Sequence, residues 1–213
     1  MAPALSRDKA CVIDGIDGFP TVAPCLSAFY LHDLDQGLPA LKYDDYDYIL
    51  MLDVVEHLSR PEAFLEDLHR ALKLSPSVEI IMSTANIGFV IPRLMLLVGQ
   101  FNYSKRGILD LTHTRLFTFG SFRRAVTQAG FDILEIKGVP APFPLAFGDR
   151  WLSRFLIKMN QMLIRLNRGL FSYQIFVRMK PQPSLEYLLQ TAAEHSGRRA
   201  QALETAGGQT PAP

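Results

Sequence analysis

The stretch Tyr46–Leu65, which reads YDYILMLDVVEHLSRPEAFL, decides the fold. Its apolar run Tyr48–Leu52 ends abruptly at Asp53. An apolar run of this length that is bounded by charge predicts a strand buried on both faces, as in a parallel sheet covered by helices. A helix is predicted to follow, with Ser59 as its cap and Pro61 in its first turn.

The position of this strand also predicts where a ligand binds. In open α/β sheets, ligands bind just beyond the carboxyl ends of the strands. Asp53, Glu56 and His57 follow the predicted strand directly, so we expect them at the mouth of a cofactor or substrate crevice.

Strand and helix signals alternate along the rest of the chain. This alternation predicts an α/β, Rossmann-like fold with a mostly parallel, doubly wound sheet and an antiparallel last strand. The predicted strands besides Tyr48–Leu52 are Cys11–Ile16, Phe29–His32, Val78–Met82, Phe131–Lys137 and Tyr173–Met179.

The EHL-x-x-P core of the Tyr46–Leu65 block resembles the post-strand motif of class I S-adenosylmethionine-dependent methyltransferases, FDxVxxxxVxEHLxxPxxxL. Further segments resemble that family in the same order along the chain. They are a second strand ending in an acid at Asp17, an acidic loop at His32–Pro39, a strand and loop at Val78–Asn86, and the segment Gly107–Thr118.

The resemblance implies cofactor roles for acids at strand ends. Asp17 is placed like the acid that accepts both ribose hydroxyls, and Asp33 like the acid that binds the adenine amino group, with Leu34 beside the ring. Asp53 and Glu56 are placed near the methyl-bearing end of S-adenosylmethionine. The alternatives are a turn aspartate at Asp17, solvated charges at Asp33, and loop organisation by Glu56.

Two histidines are candidate general bases, because histidine titrates near neutral pH. His57 follows Glu56 directly, and His113 lies in the segment where the resembled family builds its acceptor pocket. Arg115 is a candidate for an anionic acceptor group. The alternatives are that His57 organises its loop and that His113 bonds to backbone.

One departure from the family pattern concerns the chain before Asp17. The glycine-rich turn D-x-G-x-G-x-G is missing, since Met1–Lys9 contain no glycine. We expect a domain truncated at its N-terminus, through a misplaced start or as a remnant, that binds S-adenosylmethionine weakly or not at all. We further expect marginal stability, and the strand Cys11–Ile16 pairing directly with Tyr48–Leu52. The alternative function is a non-catalytic remnant or interaction module.

Composition bears on nucleic-acid binding, on the cellular setting and on the division of the chain into a domain and a tail. The 213 residues are 48% apolar with a net charge of +1, which gives no argument for nucleic-acid binding. Two cysteines without metal spacing favour a reduced, cytoplasmic setting. We expect a methyltransferase-like domain over residues 1–181 and a disordered tail over 182–213, with at most a helical turn or two at Leu185–Ala193 and few large apolar residues in His195–Pro213.

The segment Trp151–Leu170 combines an apolar side with cations and has no acid. It predicts either a helix packed on the sheet or a peripheral membrane contact through residues 150–170. The expected methyl acceptor is accordingly a small molecule, a glycan precursor or a lipid-linked compound.

Overall fold

The computed structural model describes residues 11–20, 25–148 and 151–207. Six strands lie in these ranges: β1 Asp14–Asp17, β2 Ala28–Leu31, β3 Tyr48–Leu52, β4 Glu79–Ala85, β5 Phe131–Val139 and β6 Gln174–Pro181. The α-helices there are α1 Pro61–Leu72, α2 Val90–Leu97, α3 Phe119–Gln128, α4 Phe143–Phe147, α5 Trp151–Leu166, α6 Arg168–Phe171 and α7 Leu185–Gly207. Short 3₁₀ turns lie at Leu34–Gln36, Tyr43–Asp45 and Val55–His57.

The six strands form two sheets. β1 and β2 make a parallel pair, and the other strands form a four-stranded sheet in the order β3-β4-β6-β5. β3 runs parallel to β4, whereas β6 runs antiparallel to both β4 and β5. The predicted α/β, Rossmann-like fold with an antiparallel last strand is confirmed, although the four-stranded sheet is mixed. β5 carries an irregularity of register between Ile133 and Glu135.

The core lies between the four-stranded sheet and helices α1 and α3. The spacing of Leu65, Leu68 and Leu72 places these side chains on one face of α1, where they are fully buried. Phe122 of α3 is also fully buried. The sheet contributes Ile80, Met82, Phe131, Ile175, Val177 and Met179 to the same core.

The start of α1 differs from the prediction in one respect. Pro61 occupies its first turn as expected, but the N-cap is Arg60, without a capping side chain. Ser59 instead donates its N–H to Asp35 Oδ1 at 2.7 Å and its hydroxyl to Asp35 Oδ2 at 3.1 Å. A tertiary contact therefore takes the hydroxyl that a local cap would use.

The predicted pairing of the first strand with Tyr48–Leu52 is wrong. β1 pairs with β2, and the edge of β3 toward β1 pairs with no strand of the described residues. A cavity of about 170 Å³ separates the two edges. Tyr48 is 58% and Leu50 42% exposed, so the expected burial of both faces of β3 is also wrong.

Side-chain contacts at two places hold the two sheets together across the gap. Tyr46, before β3, donates its hydroxyl to Asp14 Oδ2 at 2.7 Å, at the start of β1. The Ser59–Asp35 contact joins the far ends of β3 and β2. The two sheets are held together through side chains at both ends instead of through backbone pairing.

The end of the chain also differs from expectation. Where a disordered tail is predicted from residue 182, the structure has helix α7 as far as Gly207. Glu186 of this helix forms an ion pair with Lys73 at 3.2 Å. Composition predicts disorder because few large apolar residues occur here, but Ala, Glu, Gln and Arg all favour a helix. Residues 208–213 lie outside the described residues.

Candidate functional site

Three strands end in acids at one edge of the molecule. Asp17 is the last residue of β1, Asp33 is the second residue after the end of β2, and Asp53 directly follows β3. The Ser59–Asp35 contact links the chain after β3 to the chain after β2, so the carboxyl ends of both parallel pairs lie on the same side. This edge is the ligand-binding edge expected for parallel strands.

Asp17 and Asp33 are exposed at this edge and are partly used by their own turns. Asp17 Oδ1 accepts a hydrogen bond from the Phe19 N–H at 2.9 Å. Asp33 Oδ1 accepts from the Asp35 N–H at 3.0 Å, and its Oδ2 accepts from Gln36 Nε2 at 3.3 Å. Asp33 thereby caps the 3₁₀ turn that contains Leu34.

Asp53 is held in an unusual backbone conformation. Its φ is 54°, and no other non-glycine residue of the described ranges has a positive φ. The Ser83 hydroxyl donates to Asp53 Oδ1 at 2.9 Å, and Gln174 Nε2 donates to Oδ2 at 2.7 Å. Non-glycine residues in this region cost about 1–2 kcal/mol, which these contacts from β4 and β6 offset.

Glu56 is buried, with 1% of its surface exposed. Its Oε1 accepts from the Ala85 N–H at 3.0 Å, while Oε2 has no partner among the described residues. Burial raises the pKa of this carboxyl above the ordinary value. Its backbone oxygen accepts from the N–H groups of Thr114 and Arg115. Glu56 therefore joins the turn after β3 to the end of β4 and to the segment Gly107–Thr118.

The segment Gly107–Thr118 is fixed against the carboxyl edge of the four-stranded sheet. Thr114 Oγ1 donates to the Leu58 carbonyl at 2.6 Å, and the Ile87 N–H donates to the Phe117 carbonyl at 2.9 Å. Ile108 and Leu109 are buried. The segment is thus a fixed part of the site, in spite of having no helix or strand of its own.

His57 and His113 are brought together by this segment. Their ring centroids are 4.8 Å apart in an edge-to-face arrangement. His57 Nδ1 lies 3.2 Å from the Thr112 carbonyl, and His113 Nδ1 lies 2.9 Å from the Ile108 carbonyl. A carbonyl only accepts, so each Nδ1 carries the hydrogen in the neutral ring and each Nε2 keeps a lone pair. Either Nε2 can accept a proton.

Asp110 lies beside the histidine pair. Hydrogen bonds from the Thr112 N–H and hydroxyl, at 2.9 and 2.7 Å, lower the pKa of its carboxyl below the ordinary value. The charges of His113 and His57 act in the same direction. Asp110 therefore stays ionised near neutral pH and places a negative charge beside the histidine pair.

Arg115 is engaged in an ion pair. Its guanidinium bonds Glu62, in the first turn of α1, and both side chains are about half exposed. An anionic acceptor group would have to compete with Glu62 for this cation. Arg115 is only two residues from His113 in the sequence, but its charge is already paired with Glu62.

Comparison with known proteins settles the family. A family model described as Methyltransferase domain matches residues 1–136. The chain belongs to this methyltransferase family. The resemblance of the Tyr46–Leu65 block to S-adenosylmethionine-dependent methyltransferases is thereby confirmed. No curated protein matches the chain.

Solved structures show the same fold at low identity. An S-adenosylmethionine-dependent methyltransferase from Archaeoglobus fulgidus is 17% identical, with a TM-score of 0.51 over 84% of this chain and 80% of that chain. One from Thermotoga maritima is 15% identical, with a TM-score of 0.50 over 79% and 72%. A chain from the complex of the Haloferax volcanii Trm112 methyltransferase activator with a protein classed as a methyltransferase is 16% identical, with a TM-score of 0.51 over 85% and 77%.

Several site residues of this methyltransferase domain escape sequence reasoning. Ser83 and Gln174 fix Asp53, and they come from strands far away in sequence. Asp110 and Thr112 form a local turn beside the histidines. Only this turn has a sequence signal, because an aspartate accepts readily from the backbone two residues on. Contacts across the sheet have no such local signal.

Proposed function

We propose that this domain transfers a methyl group from S-adenosylmethionine to a small-molecule, glycan-precursor or lipid-linked acceptor. One observation carries the proposal: the acids at or just after the ends of β1, β2 and β3 lie on one edge, and the turn that follows β3 carries His57, which contacts His113. Family membership supports the same reaction. A cytoplasmic setting with peripheral membrane contact belongs to this proposal.

The side chains at this edge fit S-adenosylmethionine in chemical type. The cofactor has a ribose diol, an adenine amino group and a positive charge, and exposed carboxylates accept from the first two and attract the third. Asp17 would hold the ribose, Asp33 with Leu34 the adenine, and Asp53 the methionine end. When bound, the cofactor supplies an electrophilic methyl group on a sulfonium.

The remaining residues divide into proton acceptors and positioning groups. His57 and His113 present Nε2 lone pairs, so one of them removes the acceptor's proton if the acceptor needs deprotonation. Glu56 is buried and bonded to Ala85, so we assign it the positioning of the turn that carries His57. Arg115 can bind an anionic acceptor only after its ion pair with Glu62 has broken.

A second candidate is an interaction module that has the methyltransferase fold without binding the cofactor. The specific observation in its favour is that both carboxylate oxygens of Asp33 are already used within its own turn.

Calorimetric titration of S-adenosylmethionine into the chain separates the two candidates. Saturable binding that Asp17→Ala weakens by about 1–3 kcal/mol, the cost of unmade charged hydrogen bonds, supports the methyltransferase.

Asp44→Ala is the matched control, since Asp44 is an exposed acid in the turn before β3. Equal weakening by Asp17→Ala and Asp44→Ala would remove Asp17 from the site. No binding at millimolar cofactor, by a chain whose melting is cooperative, would favour the interaction module.

A further inference from the structure

Helix α5 presents its largest apolar side chains to solvent. Trp151 is 78% and Leu166 80% exposed, and Phe155, Met159 and Met162 between them are also exposed. At about 100° per residue these five positions fall within an arc of roughly 80°. We call them the outer stripe of α5.

The opposite face attaches the helix through polar groups. Ser153 and Asn160 are buried, and Ser153 Oγ donates to the Gly148 carbonyl at 2.6 Å. Asn160 accepts from the Ala141 N–H at 3.0 Å and donates to the Phe171 carbonyl at 2.9 Å. These hydrogen bonds fix the rotation of α5 about its axis. The aromatic and methionine side chains therefore point away from the domain instead of packing against it.

Cations border the outer stripe on one side. Arg154, Lys158 and Arg165 are exposed and fall within the next 60° or so of the helix surface. The sequence of α5 contains no aspartate or glutamate. An apolar stripe beside a row of cations is the pattern of helices that lie in the interface of anionic membranes.

We propose that α5 docks this protein on anionic phospholipid membranes, with the outer stripe at the boundary of headgroups and acyl chains. The bordering cations then lie at the level of the lipid phosphates. The 16 residues of α5 are too few to span a bilayer, which takes about 20, and no helix in the described part of the chain is long and apolar enough to do so. A second copy of α5 offers no acidic side chain to Lys158 and Arg165, whereas anionic lipids offer phosphate groups.

The helix is connected to the candidate site. Asn86, directly after β4, donates from Nδ2 to the carbonyls of Gly169 and Ser172 at 3.1 and 2.8 Å. These carbonyls belong to α6, which follows α5, and to its end. Docking through α5 would accordingly bring the carboxyl edge of β4 near the membrane, where a lipid-linked acceptor is available. The docking itself does not depend on methyl transfer.

The chain contains one tryptophan, Trp151, at the start of the outer stripe, so its fluorescence reports docking directly. Vesicles of phosphatidylcholine alone are compared with vesicles that also contain phosphatidylglycerol. We expect a blue shift of emission and co-sedimentation only with the anionic vesicles, decreasing as salt is raised.

Two pairs of variants test the two parts of the surface. Lys158→Gln with Arg165→Gln should lower partitioning roughly 25-fold, at about fivefold per cation, while the control Arg198→Gln with Arg199→Gln removes the same charge from α7 and should change it little. Phe155→Ser with Met162→Ser should abolish the blue shift. The control Leu185→Ser with Leu188→Ser, on exposed apolar positions of α7, should preserve it.

Several results would overturn the proposal. Absence of binding to anionic vesicles by the full chain is one, and equal binding to neutral vesicles is another. Equal losses in the α5 and α7 variants would show that α5 is not the docking surface. A concentration-dependent dimer that Phe155→Ser with Met162→Ser abolishes, without vesicle binding, would assign the stripe to a second copy. Vesicle binding is measured without cofactor, so its failure is distinguishable from failure of the methyltransferase proposal.

Discussion

The two sheets of this molecule differ in how they are packed. The four-stranded sheet is covered by α1 and α3 and contains fully buried side chains such as Leu65, Ile80 and Ile175. In the β1–β2 region, residues 11–20 and 25–33, no described residue is buried, and Leu31 is 61% exposed. Strand formation alone does not bury a side chain; a covering element does.

The difference predicts two levels of stability in one chain. Regions with few buried apolar contacts open locally at a lower free energy than the core. The β1–β2 pair is attached to the rest by the Tyr46–Asp14 and Ser59–Asp35 contacts. We therefore expect it to open before the four-stranded sheet unfolds, although it carries Asp17 of the candidate cofactor site.

The largest expected effect comes from truncating one leucine in each of the two regions and comparing the free energies of unfolding. Leu65→Ala should lower the free energy of unfolding by about 2–5 kcal/mol, because it leaves a cavity in a fully buried position. The matched change Leu31→Ala in β2 should stay within about 0.5 kcal/mol. Urea denaturation measures both. Similar losses would mean that the β1–β2 pair is packed as firmly as the core.

The next effect concerns the contact between the two sheets. Tyr46→Phe removes the hydroxyl that donates to Asp14. It should lower the free energy of local opening of β1–β2 by about 0.5–1.5 kcal/mol. Amide hydrogen exchange should accelerate in β1 and β2 and stay unchanged in β4. The hydrogen bond to Asp14 also raises the pKa of the Tyr46 hydroxyl, and Asp14→Asn should reduce that shift in a spectroscopic titration. Uniform acceleration of exchange across both sheets would contradict separate opening.

The smallest expected effect concerns Glu56, the buried carboxyl beside the four-stranded sheet. Because the folded-state pKa of Glu56 is raised, its contribution to stability is fully present below the ordinary glutamate pKa of about 4.5 and is lost as pH rises through the folded pKa. Glu56→Gln keeps an acceptor for the Ala85 N–H and cannot ionise. The variant should therefore gain stability relative to the natural chain as pH rises above about 4.5.

Urea denaturation at several pH values tests this prediction. Glu62→Gln is the control, since Glu62 is a half-exposed glutamate paired with Arg115. Parallel stability profiles for the natural chain and Glu56→Gln would show that Glu56 stays charged without penalty.

Local sequence patterns predicted the strand and helix bounds around the four-stranded sheet well. The strand Tyr48–Leu52 has the predicted bounds, and α1 has Pro61 in its first turn as predicted. These features follow from periodicity and turn chemistry over neighbouring residues. The Ser59 cap was mispredicted because the hydroxyl bonds Asp35, a residue distant in sequence.

Pairing between distant elements was predicted poorly. The position of β1 depends on a tyrosine hydroxyl and an aspartate that no local pattern connects. The contact between His57 and His113 depends on the backbone of Glu56, whose carbonyl holds the segment that carries His113. Sequence reasoning selected both histidines separately, but only the structure shows them as a pair.

The irregularity of β5 bears on how copies of this chain can associate. At one edge of the four-stranded sheet, the register shift between Ile133 and Glu135 interrupts the ladder, and Glu135 pairs with Lys137 at 2.5 Å on the same strand. Bulges and charges on an edge strand discourage addition of another strand. The β3 edge has neither and opens on the cavity beside β1. Within the four-stranded sheet of the described residues only the β3 edge is receptive, so strand addition between two copies of this sheet closes in a two-fold pair and does not continue through it into a filament.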